Sequence, residues 1–112
     1  MLRPTPTTTL VASGPPPGDY HLEDARLDIP DPSTAVFKAK LVGPVGSHVW
    51  ARAWVWTEAD GTLAEAASAK MNAGDEVTLT VRLTRDVTPE AASMRIESAP
   101  LQTKHVVRTK LP

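Results

Sequence analysis

The run Glu76–Arg85, EVTLTVRLTR, alternates without a break: Val77, Leu79, Val81 and Leu83 are apolar, and Thr78, Thr80, Arg82 and Thr84 are polar. A period of two puts all four apolar side chains on one face of an extended chain, a stripe that a helix of 3.6 residues per turn would scatter. The same rule reads TAVFKAKLVG as a strand with Ala35, Phe37, Ala39 and Leu41 on one side and Lys38 and Lys40 on the other. ASMRIES adds a short strand with Met94 and Ile96 inward, and KHVVRTKL adds a last one. Turn formers separate these runs: Gly43-Pro44 with Gly46, Asp60-Gly61, Asn72 to Asp75, Pro89 and Pro100. Short strands at this spacing predict an all-β, antiparallel β-sandwich of about seven strands over residues 34–112. TLAEAASAKM stays open, because its alanines suit a helix as well as a strand.

Residues 1–33 differ. They hold seven of the eleven prolines, at positions 4, 6, 15, 16, 17, 30 and 32. Proline has no N–H to give to a ladder, so this segment reads as an extended, proline-rich N-terminal arm set apart from the sandwich. Thr8–Ala12 and Ala25–Ile29 are its two strand candidates. With few apolar anchors, the arm is expected to be held by the domain's own surface or by a neighbouring chain. Its candidate contacts are Pro4, Pro6, Leu10, Pro15, Pro16, Pro17 and Tyr20. Its stretch from Asp19 to Asp31 is also acidic: Asp19, Glu23, Asp24, Asp28 and Asp31 stand there against Arg26 alone, whereas the last twelve residues carry Lys104, Arg108 and Lys110 and no acid. Solvated termini explain this, as does an acidic arm lying beside a basic edge strand.

HVWARAWVWTE, residues 48–58, gathers all three tryptophans of the chain. A two-residue hairpin loop at Asp60-Gly61 would pair Trp56 with Glu65, Trp54 with Ala67, Arg52 with Ala69 and Trp50 with Met71. Either parity of this strand is apolar, Arg52 excepted. In one reading the tryptophans are core, and Val49, Ala51, Ala53 and Val55 form a face covered by the arm or by a partner. In another, Val49 to Val55 are core, and Trp50, Arg52, Trp54 and Trp56 form an exposed ladder of rings and guanidinium that could bind sugar or protein. In a third, both faces are simply buried.

Little else in the chain suggests chemistry. Formal charge is −1, so no global field points to nucleic acid or to an anionic membrane. There is no cysteine for a disulfide or a thiolate metal site. His21, His48 and His105 lie far apart with no histidine at i+2 or i+4. Glu23-Asp24 and Asp75-Glu76 read as solvated acids, and the serines sit in no nucleophile motif. A non-enzymatic protein without a cofactor is expected. The apolar residues of MLRPTPTTTLVASG are too scattered for a signal peptide.

The stretches ARAWVWTEADGTLAEA and AGDEVTLTVRLTRDVTPEAASMRIES resemble two kinds of β-sandwich module found in virion proteins of tailed bacteriophages. These are Ig-like or fibronectin-like domains and jelly-roll domains of the carbohydrate-binding type. The shared elements are an aromatic strand entering an Asp-Gly hairpin (Trp54, Trp56, Asp60, Gly61, Leu63), a strand with Gly74, Val77, Leu79 and Val81, and a strand with Pro89, Ala92 and Ile96. The resemblance covers about residues 35–98 and brings no catalytic residue. It implies a structural accessory protein of the virion, a head decoration protein before a tail protein, made in the host cytoplasm. Such a protein would dock on capsid or tail subunits, copies of itself included, through its arm and a sandwich face. The alternative it implies is a carbohydrate-binding module with a tryptophan platform.

Overall fold

The two clearest alternating runs pair with each other. β3 (Thr34–Val42) and β7 (Glu76–Arg82) run antiparallel with Phe37 opposite Leu79 and Ala39 opposite Val77, so their apolar parities coincide. The computed structural model of the chain describes residues 2, 4–12, 20–44, 48–72, 74–98 and 102–111, with backbone alone at 5, 6, 48, 98 and 102–105. The remaining strands are β1 (Thr5–Thr9), β2 (His21–Asp31), β4 (His48–Thr57), β5 (Gly61–Ala67), β6 (Met71–Asn72), β8 (Ala91–Ser98) and β9 (Gln102–Lys110). Among the described residues there is no helix; Thr62–Ala67 of the open alanine-rich segment belong to β5.

Two antiparallel sheets result. Sheet A has the order β1-β2-β3-β7 and sheet B the order β5-β4-β8-β9, with β6 also on β4. Their inner faces share one core. Leu27, Phe37, Ala39 and Leu41 come from sheet A, and Val49, Ala51, Ala53, Val55, Met94 and Ile96 from sheet B. The outer face of sheet A is conventionally wet, with Lys40, Thr78, Thr80 and Arg82 exposed.

The described parts of the segment expected to be a separate arm, β1 and β2 among them, belong to this sandwich. The boundary expected between residues 33 and 34 falls inside the β2–β3 hairpin, where Asp31 pairs with Thr34. Leu22, Ala25, Leu27 and Ile29 are buried. Leu22 and Ala25 are an odd number of residues apart, so a regular strand would point them to opposite faces. A bulge resolves this: the register shifts between Glu23 and Arg26, and Asp24 takes a φ of 52°, a left-handed conformation that aspartate tolerates better than most residues. Arg26 Nη1 donates to Asp24 Oδ2 at 2.8 Å across the bulge.

Of the candidate arm contacts, Pro4 is exposed, Leu10 is buried and its N–H donates to Ala25 O at 2.9 Å, and Tyr20 packs at the core's margin. Tyr20 lies so close over Gly43 that a Cβ there would sit 2.5 Å from the ring. Pro6 is described in its backbone only, and Pro15, Pro16 and Pro17 lie outside the described residues. Beyond Leu10 the chain changes sheets. Val11 and Arg108 exchange two backbone hydrogen bonds of 2.9 Å, which lays the segment along the edge of β9.

Candidate functional site: the tryptophan face of sheet B

The β4–β5 hairpin sets the site's register. Thr57 lies opposite Gly61, so the loop is the three residues Glu58-Ala59-Asp60 and not the two expected at Asp60-Gly61. Gly61 has a φ of 71°, as the residue closing a three-residue hairpin loop requires. Thr57 Oγ1 accepts the Asp60 N–H at 3.0 Å and holds the turn. A bulge then skips Leu63. The expected pairing is therefore displaced: Trp54 faces Glu65, Arg52 faces Ala67, and Trp56 faces Thr62. Further along, the edge breaks at Ser68. Its N–H donates to Ala51 O at 2.8 Å and its Oγ accepts the Ala51 N–H at 3.0 Å, so a hydroxyl stands in for a ladder carbonyl.

Val49, Ala51, Ala53 and Val55 are fully buried. The reading that made them an outer interface face, with the tryptophans as core, is corrected: this parity is the core. Trp50, Arg52, Trp54 and Trp56 line the outer face of sheet B and are partly exposed. The reading with the tryptophans as core fails because the space between the sheets is already taken by Phe37, Leu27, Leu41, Met94 and Ile96. Interiors at crystal-like density leave no room for three indoles from one strand.

The outer face is bonded to itself. On β8 the outward residues are Ala91, Ser93, Arg95 and Glu97, which lie opposite Trp56, Trp54, Arg52 and Trp50 respectively. Arg52 and Arg95 are thus a cross-strand pair of like charge, which is unfavourable alone. Glu97 offsets it. Its Oε1 accepts from Arg52 Nε at 2.9 Å and from Trp50 Nε1 at 3.0 Å, and its Oε2 lies 3.3 Å from Arg95 Nη2. Glu65 adds a second anion 3.5 Å from Arg52 Nη1. The Arg95 guanidinium sits over the Trp54 ring, 5.0 Å from its centroid, a cation–π contact. Trp56 Nε1 donates to Ser93 Oγ at 2.9 Å. Glu97, Arg95 and Ser93 were absent from the expected site. Their signal in the sequence was the parity of ASMRIES, which puts polar residues opposite the tryptophans once β8 pairs with β4.

The Glu97 side chain is only 8% exposed. Burial pushes its pKa up, but the hydrogen bond from Arg52, the charges of Arg95 and Arg52 and the hydrogen bond from Trp50 outweigh that and hold it below the ordinary glutamate value. A carboxylate with a lowered folded-state pKa contributes stability that is complete above the unfolded-state value and is lost as pH falls through the folded one. Urea unfolding measured from pH 7 downward should therefore show stability falling below the ordinary glutamate pKa. Glu97→Gln should have a shallower fall over that window, and an identical pH profile would refute the assignment.

A sugar platform of three free rings does not match this face. Arg95 already occupies a face of Trp54, and the indole N–H groups of Trp50 and Trp56 are committed to Glu97 and Ser93. Half-buried, Trp54 contributes less than a core tryptophan. Trp54→Ala is expected to cost about 1–2 kcal/mol, below the roughly 3–5 kcal/mol of a core site, and thermal denaturation would measure it.

At one end of the face an open pocket of about 360 Å³ is lined by Val11, Trp56, Glu90, Ala91, Arg108 and Lys110 among others. Among the described residues there is no cluster of histidine and acidic side chains that could hold a metal ion. No protein-family model matches the chain, and no curated protein matches it.

Proposed function

We propose that the chain is a non-enzymatic docking module of a larger assembly, and that it engages a protein partner through the tryptophan–arginine face of sheet B. The observation that carries this reading is that one outer face is wet and ordinary while the other holds three partly exposed tryptophans and two arginines, pre-ordered by Glu97. Tryptophan and arginine dominate the energetics of protein interfaces, and side chains already held in place lose less entropy on binding. The docking surface is then the tryptophan side of β4, in place of a free arm and a valine–alanine face.

The strand order supports the Ig-like branch of the resemblance over the jelly roll. β2, β3 and β7 take the places of strands A, B and E, and β4, β5, β8 and β9 those of C, C′, F and G. β1 is an added strand. By that resemblance the assembly is a tailed-phage virion, with a head decoration role before a tail one.

The test is crosslinking mass spectrometry on the complex that contains the chain, purified from its source. Lys110, on the outer side of sheet B, should crosslink to the partner, while Lys38 and Lys40 on sheet A should stay free. Trp54→Ala should fold and fail to join the complex. Crosslinks confined to Lys38 and Lys40, or normal incorporation of Trp54→Ala, would overturn the reading.

A further inference from the structure

The pocket at the end of sheet B arises from one cross-strand row. Trp56 on β4 lies opposite Ala91 on β8, and Ala91 lies opposite Lys110 on β9. A methyl between an indole and a long cationic side chain leaves a hollow, with Ala91 as its floor. The next row adds Arg108, which pairs with Ser93 and with Val11. Val11 is 61% exposed and supplies an apolar wall on the β9 side. Backbone bonds from Glu90 N to Trp56 O and from Leu111 N to Glu90 O, 2.9 and 2.8 Å, fix the closed end. Since Trp56 Nε1 is bonded to Ser93, the indole offers the pocket its hydrocarbon surface.

We propose that this pocket binds a hexuronate, a pyranose ring bearing a carboxylate, as a free sugar or as a unit of an acidic polysaccharide. Each part of the lining answers one part of that ligand. The Trp56 ring with the Ala91 and Val11 methyls matches the apolar C–H face of a pyranose. The exposed Lys110 ammonium matches the carboxylate. The Glu90 carboxylate, an acceptor only, matches hydroxyl groups. It would repel a plain aromatic acid, which is anionic and has no hydroxyl hydrogens to offer in return. The volume is that of a small-molecule site. This inference goes beyond the docking reading, and Trp54→Ala, which tests that reading, leaves the pocket lining in place.

The experiment is titration of the ¹⁵N-labelled protein with galacturonate, tetragalacturonate, neutral cellotetraose and benzoate, followed by amide shifts and calorimetry. Galacturonate or its tetramer should shift Ala91 and Lys110 and bind at least about tenfold tighter than cellotetraose. Which of the two binds tighter tells a free-sugar site from a polymer site. Lys110→Glu, a surface change that should leave the fold intact, should weaken uronate binding about tenfold or more. Glu90→Gln should weaken uronate and strengthen benzoate. Equal affinity for acidic and neutral sugars, no shift at Ala91, indifference to Lys110→Glu, or benzoate binding the wild type as tightly as galacturonate would each overturn the proposal.

Discussion

Ala53→Glu should leave no folded protein at ordinary temperatures. Ala53 is fully buried in the middle of β4, between Met94 on β8 and Ala66 on β5, with its methyl in the core shared by the two sheets. A glutamate there must either bury an unpaired carboxylate, at several kcal/mol even after relaxation, or protonate. It must also find room for added heavy atoms in a filled interior, for roughly 1–3 kcal/mol more. Together these approach or exceed the roughly 5–15 kcal/mol that keeps a domain folded. Ala67→Glu is the control: Ala67 is exposed on β5, and that change should stay within about 0.5 kcal/mol. Far-ultraviolet circular dichroism during heating reads both. A cooperative transition at the wild-type temperature in Ala53→Glu would place the core on the other face of β4.

Removing the carboxylate of Glu97 should have the largest effect of any change on the outer surface. Glu97→Ala strips the anion from between Arg52 and Arg95 and leaves the Trp50 N–H without its acceptor. Breaking a buried pair by deleting one partner costs about 3–5 kcal/mol. The arginine side chains here are 28% and 32% exposed, so water replaces part of the loss, and about 2–3 kcal/mol is expected. The interaction is also testable for its cause. If like-charge repulsion between Arg52 and Arg95 is what Glu97 offsets, adding Arg52→Leu to Glu97→Ala should restore part of the stability. The double mutant would then cost less than the sum of the two single changes. Strict additivity in urea titrations would mean that Glu97 acts by packing and not by charge.

Where a strand had one apolar parity, the sequence alone was enough to orient it. Val77, Leu79, Val81 and Leu83 are buried as their alternation requires, and Phe37 and Leu41 with them, because a pleated chain with one wet face has only one way to bury such a stripe. Strand β4 has two apolar parities, and its own residues do not choose between them. Bulk hydrophobicity alone would put the indoles inside. What excludes them is supplied by other strands: Phe37, Leu27, Leu41, Met94 and Ile96 already fill the gap between the sheets, so small side chains fit and indoles do not. Arg52 was the one local clue. It shares the tryptophans' parity, and its anionic partners Glu97 and Glu65 become visible only once β8 and β5 lie beside it.

The proline-rich start was misread for a related reason. A proline bars a strand only where its missing N–H would have a partner. Pro6 lies in β1, a sheet-edge strand, and Pro30 and Pro32 lie at the end of β2 and in the turn after it. Composition reports how many prolines a segment has. Only the assembled sheet decides which of their neighbours needed a donor, and here Leu10, Leu22, Leu27 and Ile29 found a core to enter.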